Sequence, residues 1–396
     1  MNGIFERAPG ENKKRRICML MVTHSCNLNC TYCYEHFKDS SLMDLETAKR
    51  IVSEEMDFVR HDDRFDELEI DFMGGEPLTN FALIRDIVEW LERLPDCVPY
   101  ICFASTNGTL LDDERKAWFE KHRDRMVLGV SIDGTEEMQV GNRGENSRLV
   151  DRAYFHATWP NQPFHMVISR QSLPSLAQGV LEIQRKGYLL NAALAQGEPW
   201  TTEDARIYRE QLITLSLEYL GDSSLRPINL LSPLIFLDES HESVQKKFCG
   251  AGTYMCTYDT DGRRYGCHMF SPIVLGPGAR ELETIKWQER DVCSDAFCRT
   301  CVIKQVCPTC AGFNLMLRDG IGTRDKRMCC MALAQFKVAC DFQIKRLAQC
   351  DRLCGDDIGH ARLAFDAYRT LKDISDDCVT GPFTRCQTST DRKGGE

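Results

Sequence analysis

From Ile17 to about Leu194, short apolar or β-branched runs alternate with longer stretches in which apolar residues recur at intervals of three and four. The short runs predict strands at Ile17 to Thr23, Leu68 to Met73, Tyr100 to Thr106, Val127 to Asp133, Phe164 to Ser169 and Tyr188 to Leu194. Between them the helical period predicts helices at Leu45 to Arg60, Phe81 to Leu94, Asp113 to His122 and Ser147 to Trp159. Such alternation predicts an α/β fold with a parallel sheet covered by helices, either doubly wound or curled into a full or partial barrel. A further helix is expected to run to Leu220, with Thr201 or Thr202 as cap and Glu203 and Asp204 in its first turn.

Beyond this region the pattern changes. Between Cys249 and Cys330 helical periodicity fades while cysteine and glycine become dense, which reads as a small domain stapled by bound ligands. Helical periodicity returns from Met331 to about Leu353, and the tail from Ser375 is polar. The chain therefore divides into a core at 15–215, a bridging region at 216–248, a cysteine-rich domain with its helix at 249–353, and a polar tail at 354–396.

Composition narrows the chemistry. The chain has 396 residues, 43% hydrophobic and 27% charged, which is ordinary globular usage. Its 21 cysteines are fewer than a disulfide scaffold carries for this length, and the total is odd. The basic run Lys13 to Arg16 is followed only by the short apolar run Ile17 to Val22, a strand rather than a signal peptide. No apolar stretch is long enough to span a bilayer. A cytoplasmic protein without a membrane partner is expected, and in a reducing compartment many cysteines mean thiolate ligands. The net charge of −10 argues against nucleic-acid binding.

Directly after the first strand comes Cys26-Asn27-Leu28-Asn29-Cys30-Thr31-Tyr32-Cys33. The loop at the C-terminal end of a parallel strand is where α/β enzymes place their sites, and three thiolates leave one metal position open for a small molecule. A zinc site completed by His24 or His36 is the competing reading. The spacing, with an aromatic residue before the last cysteine, resembles the signature of the radical S-adenosylmethionine (SAM) superfamily. The resemblance implies that Cys26, Cys30 and Cys33 hold a 4Fe–4S cluster whose fourth iron binds SAM, with Tyr32 near the adenine.

Further motifs follow successive strands. Gly74-Gly75-Glu76-Pro77 resembles the motif that meets the methionine amino group, where paired glycines admit backbone carbonyls and Glu76 holds the loop or the ligand. Thr106-Asn107-Gly108 and Ser131-Ile132-Asp133-Gly134 end the third and fourth strands as in that family. There a serine and an arginine of the following helix bind SAM, which assigns Ser131 and Arg152. The resemblance implies a partial (β/α)6 barrel.

The second cysteine field contains eight ligand positions, enough for two four-cysteine sites, and zinc ribbons would use the same thiolates. Its order resembles the SPASM domain of radical SAM enzymes that modify peptides and proteins, a domain with two auxiliary 4Fe–4S clusters. The resemblance implies a first auxiliary cluster on Cys249, Cys256, Cys267 and Cys310. A second would use Cys298, Cys301, Cys307 and either Cys329 or Cys330, with Cys293 as a possible substitute ligand. Cys18, Cys97 and Cys102 lie in or beside apolar strands and read as core residues. Cys340, Cys350, Cys354, Cys378 and Cys386 have no assigned role.

The resemblance implies reductive SAM cleavage to a 5′-deoxyadenosyl radical, fed by a flavodoxin or ferredoxin. It implies a peptide maturase acting on a ribosomally made, cysteine-containing peptide, for example by thioether formation. The alternatives are an anaerobic sulfatase maturase forming formylglycine and a non-catalytic zinc or iron–sulfur protein. Sulfatase maturases carry an aspartate base directly after the third cysteine of the first auxiliary site; here that position is His268, which could serve as a base or only as a hydrogen-bonding group.

Overall fold

The computed structural model describes residues 14–232, 249–285, 295–303, 307, 309–349 and 355–374. The chain begins with β1 (Arg15–Thr23), α1 (Leu45–His61), β2 (Glu67–Gly74), α2 (Phe81–Leu91), β3 (Tyr100–Thr106), α3 (Asp113–His122) and β4 (Met126–Val130). It continues through α4 (Glu136–Arg143), α5 (Arg152–Thr158), β5 (Phe164–Ile168), α6 (Leu176–Gln184), β6 (Leu190–Leu194) and α7 (Thr202–Gly221). The expected helix at Ser147 to Trp159 is shorter than its pattern, because Val150 is extended and the helix starts again from the Asp151 cap.

Strands β1 to β4 pair in parallel and in chain order. The pair β5–β6 continues the array through a parallel bridge between Ser131 and His165. The array is an incomplete (β/α)6 barrel, as the motifs imply. Closure fails for a visible reason: the outer edge of β1 is occupied by β7 (Met255–Tyr258), which pairs with it in parallel. Both faces of β1 are covered and it reads as an almost continuous apolar run, whereas β2 carries the buried acids Glu69 and Asp71.

Helix α1 shows how local sequence supports this layer. The Asp44 side chain caps its N-terminus by accepting from Thr47 N, and Ala48, Ile51, Val52, Met56 and Val59 form the buried stripe against the sheet. Helix α7 starts on a reciprocal capping box between Thr201 and Asp204.

The cysteine-rich half is grafted onto the barrel. Strand β7 turns through Gly262, whose φ of +82° suits glycine, into the short antiparallel β8 (Arg264–Tyr265). Helices α8 (Pro272–Leu275), α9 (Ala311–Arg318) and α10 (Met328–Ala348) follow. Met21 of β1 shares a core with Tyr265, Cys267, Phe270 and Ala311. Helix α11 (Gly355–Leu371) packs against α10, where the sequence reads only a polar tail. Cys293, Cys350, Cys354, Cys378, Cys386 and the bridging residues 233–248 lie outside the described residues.

Candidate active site

A cavity of about 300 Å³ opens at the C-terminal ends of the barrel strands. Its walls bring together Cys26, Cys30, Tyr32 and Cys33 after β1, Gly74 to Glu76 after β2, Asn107 after β3 and Ser131 after β4. The loops meet because side chains tie one strand end to the next. Asn107 Nδ2 donates to Asn27 Oδ1 at 2.9 Å. Glu76, almost wholly buried, accepts from Thr106 Oγ1 and Asn107 N, each at 2.7 Å, and from Leu78 N at 3.1 Å. Burial is the largest influence on Glu76 and raises its pKa, against the opposing effect of these donors. Of its two expected duties, it performs loop holding. Pro77 begins the short 3₁₀ turn that Glu76 caps.

The paired glycines are a matter of space. A Cβ on Gly75 would stand 2.5 Å from Ser25 O and 2.9 Å from Cys26 Cβ, and one on Gly74 would stand 2.4 Å from Thr23 O. Any side chain there would push the Cys26 loop away from β2. Burial also pushes the Cys26 thiol up to about 11 and raises that of Cys30, so binding an electrophilic centre here means replacing thiol protons.

The buried cation in the wall is Arg143 at the end of α4, enclosed among protein atoms. Its Nε lies 2.8 Å from Asp133 Oδ2 and its Nη2 lies 3.0 Å from Oδ1. Tyr32 OH donates to the same carboxylate at 2.6 Å, and the guanidinium carbon sits 5.4 Å from the Tyr32 ring centroid. Arg152 is placed differently: it is the first residue of α5 and does not line the cavity. The sequence signal that finds Arg143 is the run Gln139, Asn142, Arg143, polar residues at helical spacing that all turn inward. Lys38, Gln196 and Phe313 also line the cavity, with no motif to announce them.

The second cysteine field separates into two gatherings and one outlier. Cys267 feels the electrostatic influence of both Cys310 and Cys249, and burial pushes its thiol up. Cys307 is similarly influenced by Cys329, Cys301 and Cys298, and these four thiols line a tight cavity of about 30 Å³ that Cys310 also borders. Cys256 stands apart. It is fully buried on β7, paired in register with Cys18 of β1. Arg16 Nη2 donates to its Sγ at 3.0 Å, with Glu55 Oε1 at 3.4 Å. Its thiol packs in the core beneath α1, whereas Cys267 belongs to the core of the cysteine-rich half.

The adjacent cysteines Cys329 and Cys330 diverge because successive helical residues point about 100° apart. Cys329 lines the tight cavity, while Cys330 Sγ is directed to Arg327 O at 3.4 Å and Thr201 O at 3.7 Å. Accordingly, Cys256→Ala and Cys330→Ala should leave the iron content of anaerobically reconstituted protein unchanged, whereas Cys329→Ala should lower it. Iron and sulfide analysis of the three variants checks this.

His268 is half-buried behind the wall. Its Nε2 lies 3.1 Å from Tyr34 OH, burial pushes its pKa down to about 4, and its Nδ1 has no hydrogen-bond partner. Tyr34, not His268, lines the large cavity. Tyr34 meets Phe313 edge-on at 5.5 Å, and Phe313 and Gln196 line both cavities. Among the described residues, no group of three or more His, Cys, Asp or Glu side chains forms a single-ion site.

The radical SAM superfamily model matches residues 20–153, the stretch that holds the triad, the paired glycines and Arg143. This chain carries a radical SAM domain. The superfamily uses a 4Fe–4S cluster and SAM, and the cavity suits both, with a three-thiol rim, a glycine floor that admits no Cβ and a buried cation in the wall.

An uncharacterized protein of Methanocaldococcus jannaschii, MJ0907, is 41% identical over 171 residues, covering 41% of this chain and 56% of that protein. The chain spans about half the length of the curated relatives it matches. Among solved radical SAM structures, native anSMEcpe with bound AdoMet and a peptide superposes at TM-score 0.60 and 17% identity, covering 88% of this chain and 99% of that one. Streptococcus suis SuiB bound to its precursor peptide SuiA superposes at TM-score 0.54 and 14% identity, covering 78% and 75%. Both likenesses are of fold. Among the described residues, no helix is long and apolar enough to cross a membrane.

Proposed function

We propose that this chain is a cytosolic radical SAM peptide maturase that modifies a ribosomally made, cysteine-containing peptide, for example by joining a cysteine sulfur to carbon. The observation that carries the reading is the shared wall. Two gatherings of thiols, Cys249/Cys267/Cys310 and Cys298/Cys301/Cys307/Cys329, adjoin the triad cavity across Tyr34, Phe313 and Gln196. A module that only stored metal would have no use for an open triad beside a cavity with a buried Arg143.

In this reading Cys26, Cys30 and Cys33 would hold the 4Fe–4S cluster. When bound, the cluster and SAM supply reductive cleavage of SAM and with it a radical able to abstract a C–H hydrogen. Arg143, fixed by Asp133, would hold the SAM carboxylate, and the Gly74–Gly75 backbone and Ser131 in the same wall would hold the rest of its methionine end. Tyr32 is held against Asp133 near the adenine. Thioether formation removes two hydrogens from the peptide: the carbon hydrogen leaves as an atom, the thiol hydrogen as a proton. An auxiliary cluster, which the second cysteine field would hold, would supply the acceptor for the remaining electron, and a flavodoxin or ferredoxin would supply the electron that starts the turnover.

The sulfatase reading is weaker, because the residue after Cys267 is His268 and it meets the cavity only through Tyr34. The deciding experiment incubates reconstituted protein with dithionite, SAM and either a cysteine-rich peptide encoded beside it or a sulfatase-motif peptide. Mass loss of two hydrogens in the first peptide supports the proposal. Formylglycine in the second, with the first unchanged, reverses it.

A further inference from the structure

We propose that Lys38 sets the reduction potential of the triad cluster and that the cysteine-rich half holds it in place to do so. This rests on the function proposed above. Lys38 Nζ donates to Cys33 Sγ at 3.0 Å, and the side chain is half-buried in the cavity wall. Its positive charge also acts on Cys26 and, after that of Arg143, on Cys30. Hydrogen bonds to cluster sulfurs and nearby positive charge favour the more negative, reduced state, which raises the potential.

Lys38 lies on the strap between Cys33 and Leu42, and that strap is pinned from the other half of the molecule. Phe37 N donates to Ile273 O of α8 at 2.9 Å, and the Phe37 ring fills the space over Gly276, where a Cβ would come within 2.8 Å of it. Next along the strap, Asp39 lies 3.2 Å from His24 Nδ1, and the other nitrogen of that ring lies 2.7 Å from Asp259 at the β7–β8 turn. Lys38 is thus a positioning residue acting through Cys33. The docking of the cysteine-rich half decides where its ammonium stands.

The test measures the midpoint potential of the triad cluster by redox titration with electron paramagnetic resonance, in full-length protein reconstituted with iron and sulfide. The triad signal is the one lost in the Cys26, Cys30 and Cys33 to alanine variant. Lys38→Met should lower the midpoint with iron content unchanged, Lys38→Arg should restore most of the shift, and Phe37→Ala should shift it the same way by less. Should Lys38→Met fail to retain iron, Lys38→Gln, a neutral and weaker donor, is measured in its place and should show the lowered midpoint. A midpoint equal to the parent's in the lysine variant, or an unchanged one in Phe37→Ala, overturns the inference while leaving the proposed function intact. Absence of any triad-dependent signal in the parent would instead overturn the proposed function.

Discussion

Replacing Cys26, Cys30 and Cys33 together by alanine should abolish release of 5′-deoxyadenosine from SAM under dithionite and remove about a third of the iron, since the three proposed 4Fe–4S sites would hold about 12 irons. The argument is geometric. Glu76 and the Asn107–Asn27 bond hold the three thiols at one rim, and the glycine pair lets that rim lie directly on β2. No other described cysteine lines the large cavity, so nothing nearby can substitute. The remaining two thirds of the iron should stay, because the other thiol gatherings belong to separate cores. Loss of nearly all the iron, or retention of nearly all of it, counts against this partition.

Arg143→Ala should have the second large effect. Asp133 is fully buried and receives Arg143, Tyr32 OH, Val167 N and Asn142 Nδ2. Removing the guanidinium takes away the cavity's buried cation and strands a buried carboxylate, a change that costs on the order of 3–5 kcal/mol where the partner charge stays uncompensated. SAM affinity should fall by more than tenfold, with a lower melting temperature. Arg143→Lys keeps the charge but loses the two-point grip on Asp133, so it should recover stability better than affinity. Arg152→Ala, outside the cavity, should leave SAM binding within about twofold of the parent. Equilibrium dialysis with SAM distinguishes the two arginines, and equal losses would return the role to Arg152.

The barrel was largely legible because its signals are local. A strand buried on both faces reads as an apolar run and an amphipathic helix as a three-and-four repeat, and each motif sits at a strand end that periodicity locates. The β4–α4 region was less legible. The inward face of α4 is polar, so hydrophobic patterning passes over the helix that carries Arg143. Helix α11 escaped for a different reason, since its buried contacts are the small Ala364 and Ala367 with Leu371, and its position is set by packing on α10.

The same contrast holds for the cysteines. Sequence alone determined that cysteine gathers in two fields, one of three at the end of the first strand and a second after the barrel. Which thiols meet was decided only by the tertiary structure. Cys256 lies between Cys249 and Cys267 in the chain, yet the register of β7 on β1 turns it toward Arg16 and Glu55 beneath α1. Cys329 and Cys330 are neighbours in sequence, but the phase of α10 sends one into the thiol cavity and the other toward Thr201. Lys38 carries no motif, and it reaches Cys33 because the cysteine-rich half holds its strap down. A side chain's direction follows from the phase and register of its element, and those are fixed only when the elements pack.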